Sequence, residues 1–92
     1  MKITLATPLA LHTLAAMAGG KLILHNVSDE RIITRICTDS READGDTLFC
    51  AIRGERVDGH SYMGKAAELG GTAFLCERVP DPLPAASCAC IV

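Results

Sequence analysis

The sequence predicts an α/β domain, a small mixed sheet with helices packed on it. Short apolar runs bounded by polar, turn-forming clusters read as strands, and two longer stretches carry helical spacing. Each helical stretch ends at a glycine pair, Gly19-Gly20 and Gly70-Gly71. With connections short throughout, the predicted order is β-α-β-β-β-α-β-β.

Lys2-Ile3-Thr4-Leu5 is an extended start. Thr7 followed by Pro8 reads as a helix opening, since a Thr hydroxyl caps free amides and Pro is tolerated in the first turn. Leu9, Leu11, Leu14, Ala15 and Ala18 then form an apolar stripe, which predicts a helix over 8–18 with His12 on its surface. Residues 21–25 read as a strand, and Ile32, Ile33 and Ile36 mark the next, ending at Cys37-Thr38.

Residues 47–52, nearly all apolar between turn signals, are the best central strand. A second helix is predicted over 61–69 with Tyr62, Ala66 and Leu69 facing inward. Residues 72–76 form a strand, residues 77–84 with Pro80, Pro82 and Pro84 an irregular connection, and residues 87–92 a last strand. That strand is expected at an open edge, where it would favour self-association.

Ninety-two residues make one small domain, able to bury about two-thirds of its unfolded surface. Hydrophobic content of 49% suffices for a core, although Trp is absent and the aromatics are Phe49, Tyr62 and Phe74. Nine basic and eleven acidic residues, net charge −2, are dispersed and offer no basic stripe for nucleic acid. Five cysteines, Cys37, Cys50, Cys76, Cys88 and Cys90, lie inside apolar runs and read as reduced core thiols rather than a disulfide framework. Cys88 and Cys90 share one strand face, but no second ligand pair is near in sequence, so no metal site is expected. There is no run of eighteen apolar residues and no signal-type start, so a cytoplasmic protein with no membrane partner is expected. The chain stops at Val92 directly after strand-like residues, as an N-terminal fragment of a longer protein would.

The polar clusters concentrate in residues 37–60, the pattern of loops gathered at one end of a sheet. Gly59-His60-Ser61-Tyr62-Met63-Gly64-Lys65 matches the phosphate-loop spacing G-x-x-x-x-G-K. Ala66, however, stands where a hydroxyl would hold Mg²⁺, the intervening residues are bulky, and residues 53–57 make a poor preceding strand. Ser40, Asp39, Asp58 and His60 suggest a catalytic set, yet Ser40 lacks the strained G-x-S-x-G turn and the aspartates are ordinary turn residues. Binding without chemistry fits better. Ser40, Arg41, Arg56 and amides near Gly54 and Gly59 are donors suited to phosphate or carbonyl oxygens.

Ile36-Cys37-Thr38-Asp39-Ser40-Arg41, Gly45-Asp46-x-Leu48-Phe49-x-Ala51-Ile52-x-Gly54-Glu55-Arg56-x-Asp58-Gly59-His60, and then Ala66 or Ala67 with Gly70 resemble the N-terminal domain of Mur ligases, which build the peptidoglycan peptide stem. The resemblance is close over residues 30–77. It implies that residues 1–92 are a single UDP-substrate-binding domain, the N-terminal part of a three-domain, ATP-dependent amide ligase. On that resemblance the site for the UDP-muramoyl moiety is Thr38, Ser40, Arg41, Glu55, Arg56, Val57, Asp58 and His60, with Asp39 and Asp58 mainly shaping the loops.

The implied partners are UDP-N-acetylmuramoyl-peptide and the remaining domains. ATP and Mg²⁺ belong to the missing central domain, no cofactor is expected in residues 1–92, and this segment alone is expected to be inactive. Residues 54–60 and the Gly-Gly-Lys-Leu after the first helix look more like the branch that adds D-alanyl-D-alanine to the tripeptide than the one adding diaminopimelate or lysine to the dipeptide. Ala43-Asp44-Gly45 departs from the family's Pro-Gly, which predicts a less rigid turn. The reading from another class is a standalone α/β interaction module without a nucleotide ligand.

Overall fold

A computed structural model describes residues 2–52 and 58–92. Its elements are β1 (Lys2–Ala10), α1 (Leu11–Ala18), β2 (Leu22–His25), β3 (Ile32–Cys37), β4 (Thr47–Cys50), α2 (Met63–Glu68), β5 (Ala73–Leu75) and β6 (Cys88–Ile91), with single 3-10 turns at Ser40–Glu42 and Gly59–Tyr62. The predicted order of strands and helices is reproduced. The six strands form one mixed sheet in the order β1-β3-β4-β5-β6-β2. Strands β3 to β6 run parallel, and the two edges, β1 and β2, pair antiparallel.

Alternation of side chains divides the core into two layers. Cys37, Phe49, Phe74 and Cys90 lie side by side across the parallel strands and pack with Ala43, Met63 and Ala66 under α2 and the first 3-10 turn. Phe49 and Phe74 meet edge to face, with ring centroids 6.4 Å apart, an aromatic pairing worth about 1 kcal/mol beyond its area. On the opposite face Leu48, Ala73 and Ala89 join Leu11, Leu14 and Ala15 of α1. Because α1 connects β1 at one edge to β2 at the other, it must cross this whole face.

Several expectations are corrected. Pro8 lies inside β1, and α1 starts after Ala10 without a side-chain cap. β1 is an edge strand whose register against β3 breaks between Thr4 and Leu9, so a residue lacking an amide proton is tolerated there. The inner face of α2 is Met63 and Ala66, while Tyr62 and Leu69 are exposed, because the 3-10 turn ahead of the helix changes the phase. β4 ends at Cys50, leaving Ile52 exposed. β6 is not an edge: β5 covers one side and β2 the other, leaving its four residues buried. The open edge expected to favour association is therefore closed by the chain itself.

At the turn over 43–45, Asp44 makes several bonds. Its carboxylate accepts hydrogen bonds from the Asp46 amide (2.9 Å) and the buried Thr47 hydroxyl (2.6 Å), and pairs with Lys2 (3.2 Å) and Arg35 (3.3 Å). The Thr47 bond is the largest of the effects that hold the Asp44 carboxyl down to about 2.

Candidate functional site

Parallel strands place their carboxyl ends on one side of the sheet, and the polar loops follow the carboxyl ends of neighbouring β3 and β4. Ligands of open α/β sheets bind outside such ends. Two similar devices are built there. Asp39 caps the first 3-10 turn: its Oδ1 accepts the Arg41 amide at 2.9 Å and the Arg41 Nε at 3.0 Å. Asp58 caps the second, its Oδ1 accepting the His60 amide at 3.0 Å and pairing with His60 Nδ1 at 2.6 Å. In each, a carboxylate two residues ahead fixes both the backbone and the side chain of a nitrogen-bearing residue.

Thr38 follows β3 directly and is partly buried, and Ser40 is buried at the start of the first turn. The Arg41 guanidinium is well exposed and also donates from Nη2 to Asp39 Oδ2 at 2.6 Å. Its bonds are the main cause that lowers the Asp39 carboxyl to about 2. Glu55, Arg56 and Val57 lie outside the described residues.

The His60 side chain is 8% exposed. Its Nε2 accepts the Glu77 amide at 3.0 Å. Both ring nitrogens of His60 are thus engaged, Nδ1 by Asp58 and Nε2 by Glu77.

The residues of the G-x-x-x-x-G-K segment do not fit a triphosphate. A phosphate loop presents free backbone amides. Here the Gly59 amide bonds Ile52 O (2.8 Å), the His60 amide bonds Asp58, the Ser61 amide bonds Asp58 O (3.0 Å), and the Met63 amide bonds His60 O. The Lys65 ammonium points to Glu68 at 3.8 Å.

Gly59 is required by packing. A Cβ there would lie 2.5 Å from Ile52 N and 2.8 Å from Ile52 O. Gly59 and Ile52 are thus pressed together backbone to backbone.

Between the Asp58–His60 turn and the β5–β6 connection lies a cleft of about 400 Å³, lined by Asp58, His60, Ser61, Arg78, Val79, Pro80 and Asp81. The wall from Arg78 to Asp81 was not among the predicted site residues. Its only sequence signal was a proline-rich connection, which does not reveal what it packs against.

Sheet pairing also brings together thiols distant in sequence. Cys76 and Cys90 lie in one core cluster, and their interaction lowers the Cys76 thiol and raises that of Cys90, while burial raises those of Cys37, Cys50 and Cys88. All five cysteines are free. Among the described residues no three His, Cys, Asp or Glu side chains are arranged to hold a metal ion, and no helix is long and apolar enough to cross a membrane.

Residues 32–87, which contain both loops and the strands that carry them, match the family described as "Mur ligase family, catalytic domain". The chain belongs to the Mur ligase family. Its curated relatives include a UDP-N-acetylmuramoyl-L-alanyl-D-glutamate–2,6-diaminopimelate ligase of Parabacteroides distasonis, 46% identical over 56 residues, 61% of this chain and 12% of the relative. A UDP-N-acetylmuramoyl-tripeptide–D-alanyl-D-alanine ligase of Synechocystis is 40% identical over 62 residues, 67% of this chain and 14% of the relative. Among solved structures, MurF from Acinetobacter baumannii superposes with a TM-score of 0.77 at 29% identity, covering 94% of this chain and 18% of that one. The matched segment spans only about an eighth of the first of these relatives. Both branches of the Mur ligases that the sequence brought into view are therefore represented among its relatives.

Proposed function

We propose that this domain binds the uridine diphosphate end of UDP-N-acetylmuramoyl-peptide within an ATP-dependent Mur ligase of the cytoplasm. The observation that carries this reading is the position of the two motif loops. Thr38, Ser40 and Arg41 follow β3 while Asp58 and His60 follow β4, so the family-matching residues stand at the carboxyl ends of adjacent parallel strands. Ser40 and the exposed face of Arg41 supply donors from one loop, and the Asp58–His60 turn directly follows Glu55, Arg56 and Val57 in sequence. The amides of the second turn are already bonded internally, so we assign ATP and Mg²⁺ to another domain and no ligation chemistry to this one.

Calorimetric titration of the folded chain with UDP-N-acetylmuramoyl-tripeptide, followed by amide shifts, tests the reading. Saturable binding with shifts at Ser40 and at residues 53–60 is expected. A folded chain that gives no binding at millimolar ligand would sink it and favour the standalone interaction module.

For the step catalysed by the whole protein, addition of D-alanyl-D-alanine is supported by the MurF superposition over 94% of the chain. Addition of diaminopimelate is supported by the higher sequence identity, 46%, over a shorter span. We keep the D-alanyl-D-alanine step as the first reading, because its support includes β1, α1 and β2, which lie outside the family match to residues 32–87. Incubating the full-length ligase with ATP and either the UDP-muramoyl-dipeptide plus diaminopimelate or the tripeptide plus D-alanyl-D-alanine separates the two by which product forms.

A further inference from the structure

We infer that His60 is a positioning residue, a neutral clamp that joins the loop after β4 to the connection after β5 and thereby sets the shape of the nucleotide site. This rests on the uridine diphosphate reading above. An Nε2 that accepts the Glu77 amide carries no proton, so the ring proton sits on Nδ1 and is donated to Asp58 Oδ1. One imidazole thus joins residues 58 and 77, which belong to the segments following β4 and β5 respectively.

The neighbouring geometry leaves this clamp little slack. Gly59 rests against the backbone of Ile52 with no room for a Cβ, and its amide bonds Ile52 O. The Asp58–Gly59 backbone is therefore held from one side by Ile52 and from the other by His60. The cleft of about 400 Å³ opens beside that ring, with Asp58 and Ser61 on one wall and Arg78 to Asp81 on the other. Releasing Nε2 from Glu77 would let the two walls move independently without removing any group from the Thr38–Arg41 loop.

Three His60 variants of the folded chain, titrated with UDP-N-acetylmuramoyl-tripeptide, separate this role from simple stabilisation. His60→Ala removes both bonds and is expected to weaken binding about tenfold. His60→Asn reaches Asp58 but not Glu77 and is expected to lose nearly as much, whereas His60→Gln, whose amide oxygen reaches the place of Nε2, is expected to recover most of the affinity. In the unsubstituted protein, long-range ¹⁵N–¹H spectra should show the Nδ1–H tautomer, and the Glu77 amide should exchange slowly.

Equal affinity of the Ala or Asn variant and the parent would overturn the inference while leaving the nucleotide reading intact. A parent that folds but fails to bind would overturn both. Should His60→Ala prove unfolded, an Nε2–H or doubly protonated ring in the parent at neutral pH would be enough to reject the clamp.

Discussion

Asp58 Oδ1 meets both nitrogens that His60 turns toward it, the main-chain amide at 3.0 Å and the ring Nδ1 at 2.6 Å. The same carboxylate geometry recurs one strand away between Asp39 and Arg41. The two 3-10 turns are therefore fixed by the same short-range device, a carboxylate that bonds backbone and side chain two residues on.

Gly59→Ala should destabilise the domain by about 1–3 kcal/mol, the usual range for overpacking, because the new methyl meets Ile52 backbone atoms that cannot rotate away. Gly64→Ala is the matched control. Gly64 lies in α2, and a methyl added there would meet nothing within 4 Å, so about 0.5–1 kcal/mol of stabilisation is expected. Urea unfolding of both variants checks the pair, and a neutral Gly59→Ala would contradict the packing argument.

Acid should remove the stabilisation that Asp44 contributes. Its folded carboxyl sits at about 2, below the unfolded value of roughly 3.9. The folded state therefore binds the proton less readily, and the contribution is complete above pH ~4 and lost as pH falls toward 2. Asp39 is depressed in the same window, so the parent alone cannot isolate Asp44. The difference in urea midpoint between parent and Asp44→Asn should shrink across this interval, and a difference independent of pH would count against the assignment.

Ser40→Ala should weaken binding of the UDP-muramoyl peptide by about 1 kcal/mol, the worth of an ordinary hydrogen bond. Because Ser40 is buried within a turn already capped by Asp39, its melting temperature should change little. Calorimetry at a temperature where both proteins are folded makes the comparison, and unchanged affinity would remove the Ser40 hydroxyl from the contact set.

Thiol titration should count five cysteines in denaturant and almost none quickly in the native state, since four are buried and Cys50 is partly so. Cys50 should react first. Rapid native labelling of Cys88 or Cys90 would mean that β6 is not enclosed between β5 and β2.

Much of this architecture is local and could be read from the sequence. Apolar runs between turn residues marked every strand, Gly19 takes the left-handed conformation that ends α1, and Asp39 and Asp58 shape turns through bonds to residues two positions on. Such features depend on near neighbours in the chain. The turns at Asp39 and Asp58 were legible for the same reason, since each carboxylate bonds residues close to it in the chain.

What only tertiary structure decided was the set of partners far apart in sequence. Local propensity made Thr7-Pro8 a helix start, whereas pairing with β3 at a sheet edge holds it extended. Spacing alone left β6 open, and β2 returns across α1 to close it. No local pattern could reveal that Glu77 occupies Nε2 of His60 or that Cys76 reaches Cys90. Burial and hydrogen bonding across the sheet are satisfied by whichever strands become neighbours, so strand order, which the local sequence does not encode, determined which distant residues became partners in the frame.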